Sequence, residues 1–112
     1  MGKPQIAKGL SNEWVENIRV LSSHKNVYCK ISGFLTETGN FKWTKNDFSS
    51  FFEVVSKAFG ENRLMYGSDW PVCLAAGSYS DTVEIIKDYC RERGDIFLEK
   101  LMGINAEKFY HL

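Results

Sequence analysis

The sequence predicts an α/β chain of about three strand–helix units with parallel strands, followed by a helical tail. Three observations carry this. Short apolar runs recur, bounded by turn residues, and each is followed by a stretch with helical spacing. An alternation of strand and helix makes right-handed crossovers between parallel strands the expected connection. At roughly 30 residues or more for each such unit, the 112 residues hold about three of them.

The elements follow in order. Residues 4 to 6 read as the end of a short strand. Residues 11 to 24 read as a helix, with Ser11 or Asn12 as its cap and Trp14, Ile18 and Leu21 at helical spacing. Residues 26 to 32 read as a strand that Gly33 ends. Residues 34 to 45 form a polar loop holding Gly39 and Trp43. A second helix, about 46 to 59, has a wide apolar face of Phe48, Phe51, Phe52, Val55 and Phe59, and Gly60 stops it. Residues 63 to 68 read as another strand and 69 to 78 as a loop. Ser80 is expected to cap a third helix that runs to about Arg93, with Asp81 in the first turn, where a negative charge suits the helix dipole. Two short helices close the chain, 95 to 102 and 105 to 110, with Asn105 capping the second. A closed eight-unit barrel takes about 250 residues and rarely fewer than about 200. The chain is therefore either a small open sheet or a piece of something larger.

Composition narrows the function. Hydrophobic residues make up 44% and charged residues 25%, which suits a packed domain and not a disordered chain. Basic and acidic residues balance at 14 each with no run of like charge, so no nucleic-acid or anionic-membrane partner is expected. Apolar stretches fall far short of the roughly 20 residues that span a bilayer. The first 20 residues lack the pattern of a secretory signal. Cys29, Cys73 and Cys90 are odd in number and widely spaced. They read as reduced, buried thiols of a cytoplasmic protein.

Chemistry concentrates in Arg63-Leu64-Met65-Tyr66-Gly67-Ser68-Asp69-Trp70-Pro71. A strand runs directly into an acid, and parallel α/β folds place functional groups at the carboxyl ends of strands. Gly67, two residues before Asp69, shares its face and leaves space beside it. Pro71 restricts Trp70 and gives the loop a defined exit. A carboxylate so placed can ligate a metal or take a proton from an attacking water. The plainer alternative is that Asp69 caps a turn. In strand 26 to 32, Val27, Cys29 and Ile31 share one face, and Tyr28, Lys30 and Ser32 the other. In a barrel the polar set would point inward. On an edge strand Lys30 would instead lie in solvent. Trp43 and Trp70, both in loops, could floor a ring-shaped substrate or simply pack. His24 and His111 read as surface residues. Walker, dinucleotide-binding and His-Glu-x-x-His motifs are absent.

Gly2-Lys3-Pro4, Asn26 to Gly33, the Gly67-Ser68-Asp69-Trp70-Pro71 motif and the closing Gly103-Ile104-Asn105-Ala106 together resemble the amidohydrolase-related family, in its sugar-lactone hydrolase or fuconolactonase-like branch. The resemblance covers essentially the whole chain. It implies that residues 1 to 112 are a single C-terminal segment, about three units, of a TIM-type (β/α)8 barrel. It implies a hydrolase in which water attacks a lactone or related carbonyl. Asp69 would be general base or metal ligand, and Lys30, Ser32 and Trp70 would contact a small sugar-lactone substrate. A divalent metal such as zinc would belong to a complete barrel and is not expected to bind tightly to this chain alone. The first-strand His-x-His pair of the family is missing, as is the histidine that usually stands before Gly-Lys-Pro. The isolated chain is therefore expected to be inactive and to self-associate into a homo-oligomer. The competing reading is a truncated, non-catalytic relative acting as an interaction module.

Overall fold

The computed structural model describes residues 1–112. Two parallel strands form its sheet, β1 (Cys29–Ile31) and β2 (Leu64–Tyr66), in the register Cys29↔Leu64, Lys30↔Met65 and Ile31↔Tyr66. Five α-helices surround it: α1 (Asn12–Ser22), α2 (Ser49–Phe59), α3 (Tyr79–Cys90), α4 (Asp95–Glu99) and α5 (Asn105–Tyr110). The parallel pairing of the two central segments agrees with the sequence reading, and so does a helix after each strand.

The strand expected at residues 4 to 6 is not formed, which leaves two strands rather than three. Gly2 and Lys3 adopt left-handed backbone angles, φ +67° and +49°. Pro4 brings no N–H to a sheet ladder. The chain then curls into a 3-10 turn at Ile6–Lys8. The two long loops also hold 3-10 turns, at Leu35–Glu37, Lys45–Asp47 and Val72–Ala75.

The core lies on one side of the sheet. Cys29, Ile31 and Leu64 meet Phe51, Phe52, Val55 and Phe59 of α2 and Ile85, Ile86 and Cys90 of α3, with Phe34 and Leu35 from the loop after β1. Phe34 packs edge-on against both Phe48 and Phe52, with ring centroids 5.1 Å apart in each pair. These edge-on pairs join the loop after β1 to the start of α2 inside the core.

Caps explain where the helices start. Ser11 accepts from the Trp14 N–H and begins α1. α3 is capped by Ser78, not by Ser80. Ser78 accepts from the Asp81 N–H while the Asp81 carboxylate accepts from the Ser78 N–H, a reciprocal box that satisfies two donors at once. Arg63, just before β2, donates to the carbonyls of Ser22, His24 and Val27. Its cation thereby closes the C-terminal end of α1, where the helix dipole is negative.

The tail is one helical path, not two separate helices. A π turn at Lys100–Ile104 joins α4 to α5. Asn105 is not a cap. Its fully buried amide donates to the carbonyls of Glu61 and Leu64, each at 2.8 Å, and so clips the tail to the start of β2.

Candidate functional site

The carboxyl ends of β1 and β2 converge. The Gly67 N–H donates to the Ile31 carbonyl at 3.1 Å, which extends the ladder by one bond past β2. A β-carbon at Gly67 would stand 3.0 Å from Ser32 Oγ, so a side chain there would have to push Ser32 aside. One at Gly33 would stand 3.4 Å from Asp69 Oδ2. The acid thus rests against the turn that leaves β1.

Asp69 itself has φ +58°, in the left-handed region that L-residues other than Asn and Asp rarely enter. Its carbonyl accepts from the Cys73 N–H at 2.9 Å, which holds the turn. Its carboxylate is part-exposed and takes no hydrogen bond or ion pair from the chain. A carboxylate serving as a turn cap would be engaged with local N–H groups. This one is left available to a bound molecule.

The carboxylate faces a cleft of about 300 Å³. Lys3, Ser32, Gly33, Thr36, Glu37 and Val72 line it with Asp69. Its side chains include two acids, one cation and two hydroxyls, with Met1 and Val72 as the apolar members. Acceptors and donors at this density suit a hydroxylated small molecule better than an apolar one.

The structure brings Ser32 and Asp69 together and does not bring Lys30 or Trp70 into this cleft. Lys30 lies on the sheet face opposite the core, as the alternation of β1 requires, with its ammonium 5.5 Å from the centre of the Tyr110 ring. Trp70, which follows Asp69 in the chain, is 63% exposed, and its peptide bond to Pro71 is cis. Trp43 is a packing residue: its indole N–H donates to the Ala76 carbonyl at 2.8 Å, and its ring meets Phe48. The sequence reading uses Lys3 only within Gly2-Lys3-Pro4 and gives it, Thr36 and Glu37 no place in the site. The signal for Lys3 was its place between a glycine and a proline, which marks a turn. Thr36 and Glu37 sit in a 3-10 turn that no periodicity reveals.

A zinc site does not assemble from these residues. Asp69 and Glu37 are the two acids of the cleft, no cysteine or histidine lines it, and no group of three His, Cys, Asp or Glu side chains anywhere in the chain could hold an ion. A zinc site takes three or four protein ligands. The donor set here does not fit one.

Comparison with known proteins gives the setting. The sequence profile of a family described as amidohydrolase matches residues 1–112. An L-fucono-1,5-lactonase of Burkholderia ambifaria is 36% identical, the match covering 98% of this chain and 39% of that protein. An L-fucono-1,5-lactonase of Burkholderia multivorans is 33% identical over 82% of this chain and 34% of its own length. A crystal structure of an amidohydrolase from Burkholderia multivorans with bound zinc superposes with a TM-score of 0.92 at 32% identity, covering 99% of this chain and 42% of that one. The chain thus spans about two fifths of the length of the relatives it matches.

Proposed function

The chain belongs to the amidohydrolase family, and from that membership we propose that residues 1–112 are the C-terminal segment of a (β/α)8 barrel that hydrolyses a sugar lactone. Supporting this is the unpartnered Asp69 carboxylate at the end of β2, facing the cleft.

In the proposed reaction water attacks the lactone carbonyl carbon. Asp69 removes a proton from that water as its oxygen bonds to carbon, and the carbonyl pair moves onto oxygen. The tetrahedral intermediate collapses, the ring C–O bond breaks, and the departing oxygen takes the proton back from Asp69. The sum is lactone plus water giving a hydroxy acid. Ser32, in the cleft, binds a substrate hydroxyl. Trp70 forms the exposed rim, and Lys30 lies on the face that a complete barrel would turn inward. The resemblance to a zinc-bound relative bears on the complete barrel, and this chain would bring Asp69 as a single ligand. Three buried, unpaired cysteines suit a reducing compartment such as the cytoplasm.

The test uses a chimaera in which residues 1–112 replace the matching segment of the Burkholderia ambifaria L-fucono-1,5-lactonase. With L-fucono-1,5-lactone as substrate, Asp69→Asn should lower kcat by about 100-fold or more. Unchanged turnover would remove Asp69 from the mechanism.

A further inference from the structure

We propose that Lys3 is the cation that receives the acyl oxygen of the lactone beside Asp69, and afterwards the carboxylate of the opened hydroxy acid. This rests on the lactonase reading above for its substrate class. The argument itself comes from the geometry of the cleft.

Breaking a lactone places negative charge on the carbonyl oxygen, and a positive or hydrogen-bonding group must stand there when it forms. Lys30, on the open sheet face, is not at the cleft. The side chains that line the cleft include one cation, Lys3, together with Asp69 and Glu37. Lys3 forms no ion pair with either acid, nor with any other carboxylate within 4 Å. Its charge is therefore not neutralised by the protein.

Its backbone strengthens the assignment. Four residues other than glycine have left-handed φ: Lys3, Phe41, Asp69 and His111. Two of the four, Lys3 and Asp69, line this one cleft. Such angles are costly for a residue with a side chain, and they cluster at ligand-binding and active sites. A lysine is poorly suited to that region, having none of the local hydrogen bonding that lets Asn and Asp tolerate it. Gly2 before it and the buried Pro4 after it hold the turn. The two strained residues thus present opposite charges to the same space: a base for water, and a cation for the oxygen that water's attack makes negative. Glu37 on the same wall can accept from substrate hydroxyls.

Lys3 also borders a second cleft, of about 390 Å³, shared with Gln5, Lys8, Trp14 and Asn17. Lys8 lines that cleft and not the one holding Asp69, and so provides an internal control.

The experiment titrates the 112-residue chain with L-fuconate and follows backbone amide NMR shifts. Shifts are expected at Gly33, Thr36, Glu37, Asp69 and Val72. Lys3→Met should weaken binding about tenfold, the scale of one charge-assisted hydrogen bond. Lys3→Arg should restore it to within about twofold, since the cation is kept. Lys8→Met should leave it unchanged, and Asp69→Asn should not weaken it, because a like charge is removed. The proposal is overturned if Lys3→Met binds as the wild type does, if Lys8→Met loses as much, or if the wild type binds nothing at tens of millimolar ligand. The titration requires no turnover, so the two readings fail separately. An inert chimaera with an intact Lys3-dependent titration sinks the lactonase. An active chimaera with a Lys3-independent titration sinks the role of Lys3.

Discussion

Asp69 combines two demands that rarely meet in one side chain: a free carboxylate and a left-handed backbone. Asparagine meets the second without the first. Asp69→Asn should therefore keep the turn, and Asp69→Ala should strain it, because alanine lacks the polar side chain that eases φ near +58°. In urea unfolding of the 112-residue chain, Ala at 69 should be less stable than Asn by about 1 kcal/mol. Equal stability would mean that the backbone there costs nothing. At this scale the sequence was partly legible. Gly67-Ser68-Asp69-Trp70-Pro71 drew attention to Asp69 because a strand, an acid and a rigid turn are adjacent in the chain. The two-residue alternation of β1 placed Lys30 opposite the core, as the structure has it. Nothing local in Gly2-Lys3-Pro4 assigns Lys3 to the site, because its place depends on a backbone angle and on a neighbour more than 60 positions away.

Between elements, the contact of α2 with α3 is held by a polar tie over the aromatic core. The Tyr89 hydroxyl donates to the Glu53 carboxylate and lies 3.0 Å from Ser56 Oγ. Arg93 pairs with Glu53 and lies over the Tyr89 ring. Burial pushes the Tyr89 hydroxyl up to about 12 and the neighbouring Cys90 thiol up to about 11, from ordinary values of 10.0 and 9.0. Both groups are raised, so each adds stability that is fully present below its ordinary value and is lost as pH climbs through the raised one. The melting temperature should hold up to about pH 9 and fall between about 9 and 12. Tyr89→Phe should flatten the upper part of that fall, and a fall as steep as in the wild type would show that Tyr89 does not drive it. The helices themselves were readable from their apolar spacing, but their boundaries were not always. Ser78 and Ser80 are both plausible caps, and the decision lies with Asp81, three residues after Ser78, which closes a reciprocal box. Asn105 looked like another cap from the chain alone. Its partners, Glu61 and Leu64, are more than 40 positions away.

On the scale of the whole molecule, a sheet of two strands has two outer edges. On β1 the Lys30 carbonyl receives the Met1 amine at 2.8 Å, and on β2 the Leu64 carbonyl receives the Asn105 amide. Cys29 and Ile31 pair with Arg63 and Gly67, so Tyr66 turns its backbone groups toward the outer edge of β2, a place where another strand can add. Large apolar side chains stand exposed as well, among them Trp70, Val72, Leu74 and Ile96, each more than half exposed. The chain on its own should therefore self-associate, with a symmetric dimer as the simplest closed form. Sedimentation of the purified chain at micromolar concentration checks this, and a monomer across that range refutes it. The π turn at Lys100–Ile104 has a consequence of another kind. Each residue advances a helix by about 100°, and a π turn holds one residue more than an α turn would. That extra residue acts as a phase adjustment: it dials Asn105 round until its amide meets β2. A descendant that lost Gly103 from this stretch would give up no side chain and still point its asparagine elsewhere. In this segment the count of residues is itself inherited information, and an otherwise mild one-residue deletion would unfasten the tail from the sheet.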